Sequence, residues 1–107
     1  MGQLVRGAVV YIDFPFSDRS GTQRRPALIL ADAYYGDVIL CLITAKNLAH
    51  AVEITDADFE DGQLPRNPSY VRCDRLFTAR VNVNAWCGKL RPSKMDEIMD
   101  KLRKQFG

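Results

Sequence analysis

Residues 25–44 read RPALILADAYYGDVILCLIT, two apolar runs joined by a short turn-forming segment. Pro26–Ala31 and Val38–Thr44 carry the aliphatic and branched residues that suit strands. The second run is apolar almost throughout, which predicts a central strand covered on both faces. Ala33, Tyr34, Tyr35 and Gly36 are the right length for a four-residue hairpin connection. An antiparallel hairpin centred between Tyr34 and Tyr35 sets Ala31 against Val38, Ala27 against Leu42 and Arg25 against Thr44. Directly opposed residues have Cβ atoms roughly 5 Å apart and share a sheet face. A slip of one residue would put the last pair on opposite faces. Spacing alone leaves two uses open for that pair. Arg25 either caps the sheet end, on a carbonyl or on Asp13, with Thr44 an ordinary strand residue, or the two meet a ligand together.

Outward from the hairpin, Ala8–Phe14 is a strand candidate with Ala8, Val10, Ile12 and Phe14 on one face. Pro15 ends it, and a polar loop runs to Arg24. That loop is longer than a tight hairpin needs, and long loops in small domains are often functional. Pro26 lacks an N–H and so favours a strand start or a sheet edge. His50–Thr55, Tyr70–Phe77 and Val83–Leu90 are further strand candidates. Asp56–Pro68, with Gly62, Pro65 and Pro68, reads as an acidic loop with a short helical turn. The chain closes on a helix with Ser93 as N-cap and Asp96 at capping-box spacing. Met95, Ile98, Met99, Leu102 and Phe106 form its buried stripe. Asp96 and Glu97 in the first turn, and Lys101, Arg103 and Lys104 near the end, suit the helix dipole. Five to seven short strands and one helix in 107 residues predict a single domain, mainly β, a small curled sheet or half-barrel with the helix packed on it.

Bulk properties set limits. The chain is 47% hydrophobic and 26% charged, and 15 Lys and Arg against 13 Asp and Glu leave a formal net charge of +2. That balance does not by itself call for nucleic acid. Basic residues cluster at Arg19, Arg24 and Arg25, at Arg72, Arg75 and Arg80, and at Lys89 and Arg91. Acid gathers at Glu53, Asp56, Asp58, Glu60 and Asp61. Either these are solvated loop charges or they converge into one positive and one negative face. Cys41, Cys73 and Cys87 form no CxxC pair, so neither a zinc site nor a redox motif is indicated. They read as buried, reduced thiols, which fits a cytoplasmic protein. The N-terminal apolar run breaks at Asp13 and resembles no signal peptide, and no segment has the length of a membrane span.

With His50 the sole histidine, a two-imidazole acid–base mechanism is impossible within one chain. Asp56, Asp58 and Glu60 have a faint calcium-loop spacing, but Asp61 stands where the glycine is needed and Asn67 where the bidentate acid is needed. The segment reads as a solvated acidic loop or one facing a basic partner. No metal and no cofactor is called for. What remains is a loop rich in guanidinium and hydroxyl groups. Arginine's planar donor fork matches phosphate. Such donors stabilise the charge that builds when a 2′-hydroxyl attacks its neighbouring phosphodiester.

Several stretches, in order and spacing, resemble the MazF/PemK family of bacterial toxins. They are Gly7-x-Val-Val-x-x-Asp13, Arg25-Pro-Ala-Leu-Ile-Leu30, Ile43-Thr44-Ala45, Ser69-Tyr-Val-Arg72, Asp74-Arg-Leu-Phe77 and Gly88-Lys-Leu90. The likeness spans nearly the whole chain. It implies an SH3-like barrel that forms homodimers in the bacterial cytoplasm and is bound by a cognate antitoxin. It implies an endoribonuclease that cuts single-stranded RNA without a metal, leaving a 2′,3′-cyclic phosphate and a 5′-hydroxyl. Carried over residue by residue, it makes Arg25 and Thr44 catalytic. The opening loop and the Asp74-Arg75 dipeptide depart from better-known members, and Arg19, Gln23, Arg24, Asp74 and Arg75 are the expected RNA contacts. Two other readings on the same fold are a non-catalytic toxin resembling the gyrase poisons, acting through the end of the helix, and an inactive partner-binding module.

Overall fold

The structure, a computed structural model, describes residues 4–15, 22–33 and 35–106, with the backbone alone at 14, 15, 22 and 23. Seven strands run β1 Ala8–Pro15, β2 Thr22–Asp32, β3 Asp37–Thr44, β4 Ala51–Ile54, β5 Phe59–Gly62, β6 Ser69–Arg80 and β7 Trp86–Leu90, followed by α1 Pro92–Phe106. They form one antiparallel sheet in the order β4-β6-β3-β2-β1-β7-β5. The sheet curls into a half-barrel, mainly β with one helix, as the patterning predicts.

The hairpin forms with the expected register at its far end. Ala27 matches Leu42, Leu28 matches Cys41 and Ile29 matches Leu40. Towards the turn the register shifts, so Ala31 faces Ile39 and Val38 faces Asp32. One extra residue of β2 is taken up as a bulge, which increases local twist and bends the strand. Tyr35 and Gly36 carry the turn at φ 57° and 85°. The bulge offsets the one-residue shift beside the turn, so the expected register returns at Ile29 and holds to Ala27 and Leu42, where the ladder ends among the described residues.

β2 also begins before Pro26. Thr22, Gln23, Arg24 and Arg25 all pair with β1, and Pro26 itself matches Tyr11. Among the described residues no β3 partner matches Pro26, since that ladder starts at Ala27. The missing donor thus costs β2 no rung with β3, and the strand runs through a residue expected to start it.

β1, β2 and β3 are buried on both faces. Val9, Leu28, Leu30, Cys41 and Ile43 pack on one side with Val71, Cys73 and the helix residues Met95, Ile98 and Leu102. Ala8, Val10, Ala27, Ile29, Val38 and Leu40 pack on the other, against Phe77, Val81, Ala85 and Trp86.

Two further expectations need correcting. The acidic segment is not all loop: a 3-10 turn at Asp56–Asp58 leads into β5, whose Phe59 and Gly62 pair with Leu90 and Gly88 of β7. Three of its four residues are exposed, so it has no apolar alternation to read. The acidic residues also mix with basic ones, Glu60 with Lys89 at 3.6 Å and Asp58 with Lys94 at 3.7 Å. The helix starts at Pro92, so Ser93 is inside it rather than capping it, and its first turn holds no acid. Proline suits the first helical position because that N–H has no intrahelical partner anyway. Asp96 and Glu97 fall in the second turn, and Phe106 ends 55% exposed, off the buried stripe.

Candidate functional site

β2 and β3 end together at a cleft of about 770 Å³. It is lined by Tyr11, Arg24, Arg25, Pro26, Ile43, Thr44, Ala45 and the segment Leu64, Pro65, Arg66, Asn67 with Ser69. Arg25 and Thr44 each lie two residues past the matched pair of Ala27 and Leu42, where the β2–β3 ladder ends among the described residues, and both reach the cleft. Both are partly buried. The Nε of Arg25 is out of solvent. Thr44 Oγ1 accepts a hydrogen bond from the Lys46 N–H at 3.3 Å, which leaves its hydroxyl proton to donate elsewhere.

Among the described residues the lining holds three guanidinium groups, three hydroxyls and an amide, and no carboxylate or imidazole. That donor set attracts an anion and offers it hydrogen bonds. A buried leucine, Leu64, anchors the opposing segment. Ser69, 4% exposed, donates to the Arg66 carbonyl at 2.8 Å, and Asn67 Oδ1 accepts from the Asp56 N–H at 3.2 Å. These bonds fix the backbone of the segment that brings Arg66 to the cleft.

A second cleft of about 650 Å³ adjoins the first. Tyr11 and Arg24 line both, and Asp13, Phe77, Thr78, Arg80, Asn82 and Asn84 are among the residues that line the second alone. The Arg24 guanidinium lies over the Tyr11 ring, 5.5 Å from its centroid. Burial pushes the Tyr11 phenol up, the neighbouring Cys87 adds to the shift and Arg24 opposes it.

Of the residues singled out in the sequence, Arg24, Arg25 and Thr44 come together at the first cleft. Asp74 and Arg75 line neither cleft. Asp74 is held by Arg72 through two bonds, Nη2 to Oδ2 at 2.8 Å and Nε to Oδ1 at 3.1 Å. The pair holds the Asp74 carboxyl below the usual range and raises the guanidinium of Arg72. Arg75 is exposed on β6. Gln23 matches Phe14 in the ladder, with its backbone alone described, and Arg19 lies outside the described residues. Sequence reading did not reach Tyr11, Arg66 or Asn67 as site residues. The two prolines bracketing Arg66 and Asn67 were the one signal that this segment has a fixed path.

Over residues 5–106 the chain matches the family of the PemK-like, MazF-like toxin of type II toxin-antitoxin system. It belongs to that family. The toxin's fold is shared with solved structures of low identity. An endoribonuclease in complex with its cognate antitoxin from Mycobacterial species is 21% identical, with 96% of this chain and 92% of that chain covered and a TM-score of 0.65. MazE-MazF from Deinococcus radiodurans is 17% identical over 94% and 92%, with a TM-score of 0.71. Mycobacterium tuberculosis toxin MazF-mt6 is 24% identical over 91% and 95%, with a TM-score of 0.59. No curated protein sequence matches the toxin. Among the described residues no helix is long and apolar enough to cross a membrane.

Proposed function

We propose that this toxin is an endoribonuclease that cleaves single-stranded RNA at the Arg25–Thr44 cleft without a metal. The observation that carries the reading is that Arg25 and Thr44 line one cleft together with further cationic and hydroxyl donors. The 2′-hydroxyl of one nucleotide attacks the adjacent phosphorus. The new P–O2′ bond closes a cyclic phosphate as the P–O5′ bond breaks. The 2′ proton leaves to solvent or a nearby base, and the departing 5′-oxygen takes up a proton to become a hydroxyl. Negative charge grows on the non-bridging oxygens, where the Arg25 fork and the Thr44 hydroxyl donate. A guanidinium carries five N–H donors and no acceptor, so Arg25 stabilises the growing charge rather than accepting the proton. Arg24 and Arg66 bind the flanking backbone, and Arg19, Gln23, Asp74 and Arg75 are the outer RNA contacts. Endoribonuclease activity in a structural relative and its complex with an antitoxin support the same reading, with a homodimer, a protein antitoxin and a bacterial cytoplasm as its setting.

The test is incubation of the purified toxin with single-stranded RNA in excess chelator, beside Arg25→Ala. Cleavage that leaves cyclic-phosphate and 5′-hydroxyl ends, and is lost in Arg25→Ala, supports the proposal. Intact RNA with trapped gyrase–DNA complexes would replace it with the gyrase-poison reading.

A further inference from the structure

Tyr11 and Arg24 are the two residues common to both clefts. An RNA strand with its scissile phosphate at Arg25 must cross them to enter the second cleft. The Arg24 guanidinium lies over the Tyr11 ring at 5.5 Å, within the roughly 6 Å reach of a cation–π contact. Asp13 is the ladder partner of Arg24, yet among the described residues Arg24 has no carboxylate within ion-pair distance. Its side chain is therefore turned to the ring rather than to the available acid, and it stays exposed.

An arginine that only grips phosphate has no need of a ring beneath it. A guanidinium set on an aromatic ring extends a flat surface, and both guanidinium planes and aromatic rings stack unpaired bases. Single-strand binding sites pair such platforms with a cationic groove. Beyond the platform, Asn82 and Asn84 line the second cleft, and Asn82 Oδ1 accepts from the Asn84 N–H at 2.8 Å, which leaves the Asn82 amide N–H groups as donors. Resting on the proposed cleavage at Arg25, we infer that Tyr11 and Arg24 form a stacking platform for a nucleobase flanking the scissile phosphate, and that this contact positions the strand.

The toxin is assayed on a short single-stranded RNA with a mapped cleavage site, and on copies made abasic at each flanking nucleotide in turn. In the wild type, loss of the base at one flanking position is expected to raise KM about tenfold with kcat little changed, the effect of one stacked base. Tyr11→Leu and Arg24→Lys raise KM on intact RNA to a similar degree and become insensitive to that abasic position. Tyr11→Phe keeps the ring and is expected to keep the abasic penalty at that position. Arg24→Lys keeps the charge, so an unchanged KM there, or an abasic penalty that persists in both variants, overturns the inference.

The same variants are then tested for binding to uncleavable 2′-O-methyl RNA. An affinity loss of about tenfold in Tyr11→Leu and Arg24→Lys, with the salt dependence unchanged, supports the platform even if the wild type cuts nothing. Equal affinities overturn it whether or not cleavage occurs.

Discussion

Arg25 of β2 and Thr44 of β3 line one cleft, each two residues beyond the matched pair Ala27 and Leu42. Their roles differ in what a substitution removes. Arg25→Lys keeps a positive charge but loses the planar fork, and single-turnover cleavage is expected to slow about 100-fold, the low end for removal of a transition-state donor. Thr44→Val keeps the β-branched shape and loses only the hydroxyl. Cleavage is expected to slow at least tenfold, with the melting temperature within about 2 °C of wild type because Thr44 lies at the rim of the core. Wild-type rates in both variants would remove the pair from the chemistry.

The hairpin was legible because burial of β1, β2 and β3 on both faces leaves a dense apolar pattern, and its expected register is met from Ile29 to Ala27 once the bulge offsets the shift beside the turn. The bulge near Leu30 was not, since no special residue marks it. β5 was hidden because a strand held by backbone pairing to β7 needs no apolar face. The helix start moved by two residues, from Lys94 after a Ser93 cap to Pro92, because proline suits the first helical position. At the site, the hairpin spacing placed Arg25 and Thr44 at the same end of the sheet, and both line the cleft there. Arg66 reaches the same cleft from a distant segment through tertiary folding, and Tyr11 read as one more strand aromatic.

The close approach of β5 and β7 depends on glycine. Gly62 has φ +69°, and a Cβ there would sit 2.2 Å from the Cys87 carbonyl oxygen and 2.7 Å from the Gly88 Cα. Both obstacles are backbone, so β5 would have to leave its partner. Gly62→Ala is expected to cost about 3 kcal/mol or more from strain and overpacking together, lowering the melting temperature by more than about 10 °C. Gly36→Ala is the control. Its φ is +85°, but the nearest atoms belong to the Arg80 side chain at 3.6 Å, so its loss should be clearly smaller. Equal losses in chemical or thermal denaturation would mean the β5–β7 contact is not the cause.

The Arg72–Asp74 pair gives an acid-side signature. Hydrogen bonding from Arg72 lowers the folded-state pKa of Asp74. A lowered carboxylate pKa adds stability that is present above the ordinary aspartate value, about 3.9, and lost as pH falls through the lower folded value. The side chains are 26% and 28% exposed, so solvent screening limits the pair to about 1 kcal/mol or less. The stability difference between wild type and Asp74→Asn, measured by urea denaturation, should be level from about pH 5 to 8 and close below about pH 4. A difference that grew in acid would contradict the sign.

The three thiols should be nearly inert in the folded toxin. Burial pushes Cys41 up to about 12 and Cys73 and Cys87 up to about 11. The thiolate is the nucleophile, and a thiol of pKa about 11 is roughly 0.1% ionised at pH 8, against about a quarter for a free cysteine near 8.5. Iodoacetamide labelling at pH 8, followed by intact mass, should therefore proceed at least about 100-fold more slowly than in denaturant, where all three sites react. Cys87 should lead, because it is the least buried of the three and Arg24 opposes its shift. Its Sγ lies 3.2 Å from the Val9 carbonyl oxygen, which holds the thiol against β1. Labelling of Cys41 or Cys73 ahead of Cys87 would show that the sheet opens near its centre before its β1–β7 seam, against the burial of β3 on both faces.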